Sequence, residues 1–337
     1  TVAMSTIKDI ARYVGVSTAT VSNALNGRAN VSEDMRRRIM EAAEKMNYIP
    51  NISAKLMRGH KTNNIGLFLP YLSSTFYLSL IQEIYVSCLK KGYDLLVHIS
   101  RDIESRDLLS NILSSNIDAA IILSDRFPNE CIPMLHSKDV PVVFLDRQVA
   151  QDGIASVVID EAQGMRQAVQ YLASTGHRVI GHLHGILETY SAQSKLEAFR
   201  QTMTELGLPL YEDIIFDGHY DRYAAYSAVR AFLAKPIAHM PDAFVCADDD
   251  TALGCIRAFE DMGYNVPEDV SVTGCSCTKT ITDQHLPLTR ADYSMAELAR
   301  NAVNILVEMC NHGGCGQILS IKTSFQVGET TRLRLPC

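Results

Sequence analysis

Thr6-Ile7-Lys8-Asp9-Ile10-Ala11, then Gly15-Val16-Ser17-Thr18-Ala19-Thr20-Val21-Ser22-Asn23-Ala24-Leu25-Asn26-Gly27, is the stretch on which the fold turns. Ile7, Ile10, Ala11 and Val14 fall at i, i+3, i+4 and i+7, one apolar stripe on a short helix. Gly15-Val16 breaks that helix, and Ser17 is a natural N-cap for another. The second helix turns Val21, Ala24 and Leu25 inward and presents Thr18, Ala19, Ser22, Asn23 and Asn26. Two short helices across a Gly-containing turn predict a helix-turn-helix, whose second helix enters the DNA major groove. Ser32 is placed to cap a third helix, with Met35, Ile39, Ala42, Ala43 and Met46 inward and Arg36, Arg37 and Arg38 near its start. Three arginines can simply solvate a helix face; beside a polar-faced second helix they point to phosphate contact.

Charge sets this stretch apart from the rest. Residues 1–61 hold ten Lys and Arg against five acids, a net of +5. The remainder holds 21 basic and 33 acidic residues, a net of −12. A basic segment on an acidic body suits a polyanion-binding head. The whole chain has 337 residues, 47% of them hydrophobic and 20% charged, enough for two or three packed domains. No apolar run approaches a membrane span, and the N-terminal Thr-Val-Ala-Met-Ser carries no signal-peptide pattern, so a soluble, cytoplasmic protein is expected. Its nine cysteines are odd in number, start at Cys88 and include no C-x-x-C pair. They read as reduced thiols packed as small apolar residues.

The quoted segment closely resembles the head of the LacI/GalR transcription regulators. So does Asn47-Tyr48-Ile49-Pro50-Asn51 running into Ser53-Ala54-Lys55-Leu56. The resemblance implies that Thr18, Ala19 and Asn23 face base edges. It puts Thr20, Ser22, Asn26 and Tyr48 near the DNA backbone and counts Ser17 among the DNA-binding residues. The family usually has Arg where this chain has Asn23, and Asn favours adenine where Arg favours guanine, which implies a shifted operator. Residues 50–59 would form a hinge helix that orders on DNA. Leu56 matches the family's minor-groove wedge, and Lys55 stands where Arg is common.

From Asn64 on, short apolar runs alternate with amphipathic stretches. Strands are expected at 65–69, 95–99, 119–123, 142–145, 157–159, 179–183, 214–216, 243–246 and 270–273. Helices at 76–91, 105–115, 162–174, 194–206, 223–234 and 251–262 separate them. This alternation predicts parallel sheets covered on both faces, and about nine strands suit two α/β lobes better than one sheet. The likeness extends over residues 6–331 through Pro70-x5-Phe76-Tyr77, Leu145-Asp146-Arg147, Gly176-His177-Arg178-Val179-Ile180 and Asp248-Asp249-x2-Ala252-Leu253-Gly254. Val266-Pro267-Glu268-Asp269-Val270-Ser271-Val272-x-Gly274 matches too. It implies an all-α helix-turn-helix head with a hinge helix, then a two-lobed core like that of periplasmic sugar-binding proteins, with chain crossings near Asp160, Asp292 and Ser320. The expected layout is a head over 1–49, a hinge over 50–63, a core over 64–331 and a tail over 332–337. Within the core, the first lobe takes about 64–159 and 292–319, the second about 160–291 and 320–331.

Ligands of such folds bind at the carboxyl ends of strands, where two lobes would face each other. The matching effector positions are Ser73, Ser74, Phe76 and Asp146 from the first lobe and Lys195, Asp248 and Ser276 from the second. Lys195 replaces a usual Arg, Asp248 a usual Asn, and Gly274-Cys275-Ser276-Cys277 a usual Gly-Phe-Asp-Asp. If Lys195 pairs with Asp248 the wall is nearly neutral; if they point apart Asp248 repels anions. Either way an effector other than a plain glucose- or galactose-type hexose is expected. Two other chemistries compete. Asp248-Asp249-Asp250 suggests a cation site, but successive loop carboxylates diverge; His182 and His184 share a strand face, yet zinc needs further ligands. No nucleophile elbow, G-x-G-x-x-G or phosphate loop appears, so an α/β enzyme or a metal- or thiol-responsive sensor is the weaker reading. The expectation is a repressor-type regulator: a homodimer on palindromic double-stranded DNA, bacterial and nucleoid-associated, gated by a small molecule such as a sugar derivative. No catalytic residue, metal or cofactor enters it.

Overall fold

A computed structural model describes residues 5–25, 30–48, 61–70, 72, 75–99, 106–124, 127–136, 140–275, 287–314, 316 and onward to 334. The chain divides into two compact units, Thr1–Thr62 and Asn63–Cys337.

The first unit is built by α1 (Ile7–Val14), α2 (Thr18–Leu25) and α3 (Glu33–Lys45). Thr6 and Asp9 form a reciprocal capping box on α1, and Gly15, at φ +78°, ends it in the left-handed conformation. Ser17 caps α2, its Oγ accepting from Thr20 N at 3.0 Å; Ser32 caps α3 through Met35 N. Ile10, Ala11, Val21, Ala24, Ile39, Ala42 and Ala43 are buried together, with Ile7, Val14, Leu25, Met35 and Met46 packed around them. The 3.6-residue periodicity therefore chose the core of this unit.

The second unit holds two six-stranded sheets. The first lobe contains β1 (Asn64–Leu69), α4 (Thr75–Lys90), β2 (Asp94–Ile99), α5 (Arg106–Ser114), β3 (Ala119–Leu123), α6 (Ile132–His136), β4 (Val142–Leu145) and β5 (Ile154–Ile159). The chain then builds the second lobe from α7 (Glu161–Ser174), β6 (Ile180–His184), α8 (Tyr190–Glu205), β7 (Ile215–Asp217), α9 (Arg222–Leu233), β8 (Ala243–Cys246), α10 (Asp249–Asp261), β9 (Ser271–Cys275) and β10 (Thr289–Asp292). It returns for α11 (Met295–His312) and β11 (Ile318–Ile321), and crosses once more to β12 (Ser324–Gln326). The strand orders are β11-β5-β4-β3-β1-β2 and β12-β10-β9-β8-β6-β7, all pairs parallel except β10 with β12. Strands buried on both faces read as unbroken apolar runs, as Ala119–Leu123 and Val142–Leu145 do.

Two boundaries differ from the expected ones. Asp292, expected near the crossing and at the approximate start of the first lobe's second segment, pairs with Ser324 in the second sheet, so the return begins just after it. Ser320, expected at the last crossing, pairs with Val158 inside β11, and the crossing falls at Lys322-Thr323. These short strands lack apolar runs: β10 is Thr-Arg-Ala-Asp and β12 Ser-Phe-Gln, so only ladder pairing reveals them. Among the described residues no helix is long and apolar enough to cross a membrane.

Candidate functional site

In the head, the amphipathic split of α2 decides which groups are available. Val21 and Ala24 are buried, Thr18 and Ala19 exposed, and Ser22 and Asn23 half-exposed. The Ser17 and Thr20 hydroxyls lie 2.9 Å apart and bond each other, which ties both to the helix start. Tyr48 is half-buried against the head core. Arg37 pairs with Asp34 at 2.7 Å on the exposed start of α3. Asn26, Lys55 and Leu56 lie outside the described residues, as do Ser73, Ser74 and Ser276 of the core.

In the core, Lys195 of α8 is the best-defined member of the expected effector set. It is buried, with its ammonium 3.1 Å from Glu161 Oε2. It also donates to Ala247 O at 2.9 Å and lies 5.5 Å from the centre of the Tyr220 ring. Burial, the largest single influence, pushes the Lys195 pKa down, but Glu161, Cys275 and Tyr220 together hold it well above the ordinary lysine value, Glu161 contributing most of the three. Glu161 is the first residue of α7, one position past the crossing at Asp160. Its other oxygen accepts from Ser191 Oγ at 2.8 Å, and Ser191 Oγ in turn accepts from the Tyr220 hydroxyl at 3.3 Å. Cys275 Sγ is 3.9 Å from Glu161 Oε2, and burial raises its thiol pKa far above the usual range.

Neither of the arrangements open to Lys195 and Asp248 is therefore the principal one. Asp248 caps α10, its Oδ1 accepting from Thr251 N at 2.8 Å and Thr251 Oγ1 at 2.6 Å. Burial raises its carboxyl pKa while the Thr251 bonds pull it down. Its neighbours diverge: Asp249 meets Arg290 at 3.0 Å and Asp250 meets Arg222 at 2.8 Å. Burial lifts Asp249 to about 7. His182 and His184 do share a face, with ring centres 6.4 Å apart. His182, however, gives Nδ1 to Val245 O at 2.7 Å and stacks on Phe199, and burial lowers its pKa to about 3. His184 bonds Gly185 O and faces Asp217. Among the described residues no cluster of three His, Cys, Asp or Glu side chains could hold a metal ion.

From the first lobe, Asp146 follows β4 directly in the left-handed conformation, at φ +57°. Its charge contributes to the raised pKa of both Tyr220 and Tyr190, where burial is the larger cause, so it lies within electrostatic reach of the second-lobe wall. Gln148 Nε2 donates to the Tyr190 hydroxyl at 2.5 Å, a direct bond between the lobes. Phe76, in the first turn of α4, is half-buried against the first-lobe core and meets Tyr77 edge-on at 5.3 Å. The structure thus brings Lys195 over the Tyr220 ring and Asp146 within its electrostatic reach, while Asp248 lies within electrostatic reach of Lys195. It adds Gln148, Glu161, Tyr190 and Ser191, which periodicity did not single out. An acid directly after a crossing is the one signal that Glu161 offered. Tyr220 offered none: it sits at φ +54° after His219 at φ +52°, and a methyl on Gly185 would overlap its ring.

Comparison with known proteins agrees with this architecture. The profile described as bacterial regulatory proteins, lacI family, matches residues 6–51. The one described as a periplasmic binding protein-like domain matches residues 169–331. Catabolite control protein A of Priestia megaterium is 31% identical over 309 residues, 91% of this chain and 92% of that protein. The HTH-type transcriptional repressor PurR of Klebsiella pneumoniae is 30% identical over 309 residues, 90% of each. The lac repressor dimer bound to operator and the anti-inducer ONPF superposes with a TM-score of 0.83 at 25% identity, covering 98% of this chain and 100% of that one. A ribose-bound regulator from Enterococcus faecium, at 19% identity and a TM-score of 0.73 over 81% of this chain and 100% of its own, shares the core fold. With a lacI-type head, a binding-protein-like core and relatives at this identity over nine-tenths of its length, the chain belongs to the lacI family of bacterial transcription regulators.

Proposed function

We propose that this regulator is a repressor whose operator affinity is set by a small molecule held between the core lobes. The observation that carries the ligand-gated part is the junction of the two lobes at their strand ends. There Gln148 bonds Tyr190 at 2.5 Å across the lobes, and Asp146 lies within electrostatic reach of Tyr220. A ligand seated there would touch both lobes and change their relation, which is what linkage to a distant site requires. The effector contacts in this reading are Phe76 and Asp146 with Tyr220 and Asp248, together with Ser73, Ser74 and Ser276. Lys195 acts through Glu161 rather than as an open hook. Lys195, Arg222 and Arg290 each lie within 3.1 Å of a carboxylate oxygen, which favours an uncharged ligand over an anionic one. A ligand other than a plain glucose- or galactose-type hexose remains our reading. Micromolar binding of such a hexose in calorimetry, abolished by Lys195→Ala, would refute it.

The DNA-bound form in this reading is a homodimer on a palindromic operator. An apolar surface on the first lobe supports the pairing. Leu78, Tyr85, Val86 and Leu89 lie exposed along one face of α4, and Leu96, Val97 and Ile99 lie exposed on β2, the sheet's edge strand. Large apolar side chains exposed in this number on one helix and the neighbouring edge strand suit protein–protein contact. Leu56 and Lys55 would act in the hinge at the minor groove, and operator binding would hold the protein at the bacterial nucleoid. The chain uses no catalytic residue or cofactor. A thermal-shift screen of sugars, sugar phosphates and nucleobases on the intact protein tests the proposal when followed by operator titration. A compound that raises Tm and also changes operator affinity is the expected result. Stabilising compounds that leave operator affinity untouched would sink the ligand-gated part.

A further inference from the structure

The face that α2 presents carries no charge. Its sequence, Thr-Ala-Thr-Val-Ser-Asn-Ala-Leu, has no Lys, Arg, Asp or Glu, and the structure divides its side chains sharply. Val21 and Ala24 are committed to the core. The Ser17 and Thr20 hydroxyls bond each other at 2.9 Å. Ser22 is also engaged in an interaction of its own. What remains to meet a duplex is Thr18 and Ala19, both exposed, and the half-exposed Asn23. Ala19 and Asn23 are four residues apart, so they stand one above the other on the same helix face. One helical turn rises about 5.4 Å. Stacked base pairs are about 3.4 Å apart, so the two side chains reach pairs one or two steps from each other.

The chemistry of those groups is selective. A carboxamide offers one donor and one acceptor side by side, which matches N7 and the N6 amino group of adenine in the major groove. Guanine, with two acceptors there, is matched by Arg or Lys, and cytosine by a carboxylate. A methyl group finds its partner in the thymine C5-methyl. The exposed groups of α2 include an amide and methyl carbons, with neither a guanidinium, an ammonium nor a carboxylate. We infer that Asn23 selects an A·T pair in each operator half-site, its amide on the adenine, and that Ala19 packs on a thymine methyl one or two steps away. This rests on α2 being the groove helix of the regulator and names the bases that it reads.

The test is selection of full-length protein on a randomised duplex library, carried out with the natural chain, Asn23→Arg and Asn23→Gln. The natural chain should return a palindromic consensus. One symmetry-related pair of A·T positions in it should become G·C with Asn23→Arg and stay A·T with Asn23→Gln, whose amide makes the same pairing. A consensus that Asn23→Arg leaves unchanged overturns the assignment. So does a G·C pair, in the natural consensus, at the position that responds. Absence of any consensus with the natural chain overturns the DNA-reading function itself, a distinct result. A second measurement needs no variant. Replacing the selected adenine by 7-deazaadenine removes the N7 acceptor and should weaken binding about 10-fold, within the range of one bidentate base contact. Replacing the neighbouring thymine by uracil should cost a smaller, few-fold loss. Unchanged affinity on the deaza duplex overturns the adenine contact, and on the uracil duplex the methyl contact.

Discussion

The head and the core cleft place their functional groups in opposite ways. In the head, Thr18, Ala19 and Asn23 are what the amphipathic pattern leaves over once Val21 and Ala24 have been buried. In the cleft, Glu161, Lys195, Ser191 and Cys275 are themselves buried, each held by its neighbours. A group facing solvent until its partner arrives costs the fold little. A buried ion pair is costly to break, because removing one partner strands the other charge. Substitution should therefore separate the two regions by stability.

The largest effect is expected at Glu161. Glu161→Ala strands Lys195 in the second lobe and should lower core stability by about 3–5 kcal/mol in denaturant unfolding. A loss below about 1 kcal/mol would mean that Lys195 finds another carboxylate, and the contrast would weaken. Gly185→Ala comes next, since its new methyl overlaps the Tyr220 ring. A cost of about 1–3 kcal/mol is expected, and the effect of any stabilising ligand on Tm should shrink with it. An unaltered ligand response would take Tyr220 out of the effector wall.

His182 gives the contrast a pH dependence. Its folded pKa, about 3, lies below the ordinary 6.5, because burial opposes the imidazolium. As pH falls below that ordinary value the unfolded imidazole takes up a proton that the folded one refuses, so stability is lost on acidification. The contribution approaches about 1.4 kcal/mol per pH unit in the acid range. His182→Leu should flatten the core's unfolding free energy over that range relative to the natural chain, and an identical acid limb in both would show that other groups set it. Smaller again is Ser17→Ala, which removes the cap on α2 and should cost the head about 1 kcal/mol by thermal unfolding. The smallest stability effect belongs to Asn23→Ala, within about 0.5 kcal/mol. The same change should cost about 1–3 kcal/mol of operator affinity in a binding titration. If it unfolded the head instead, the division between exposed readers and buried supports would fail.

The two regions also differed in how plainly they could be read. Helix caps at Ser17 and Ser32 and the stripe from Ile7 to Val14 are local signals. Local geometry realised them nearly residue for residue. The apolar runs at Ala119–Leu123 and Val142–Leu145 announced central parallel strands for the same reason. Cys88, Cys131, Cys246, Cys255 and Cys275 are buried free thiols, in line with their reading as small apolar residues. The strand β7 is shifted one residue from its expected start because Glu212–Ile214 takes up a 3-10 turn first.

The sequence by itself determined the three-helix head, the alternation of strands and helices, and the side chains that α2 leaves uncovered. Each of these depends on residues within a turn or two of one another. Tertiary structure decided the rest. It set the partner of Lys195, which lies 34 positions away in Glu161, a residue that neither open arrangement of Lys195 and Asp248 named. It also placed β10 and β12 in the second sheet, where pairing between residues distant in the chain defines strands too short and polar to show a pattern. Which charge neutralises which in a buried wall depends on where two sheets bring their carboxyl ends, and no local period encodes that.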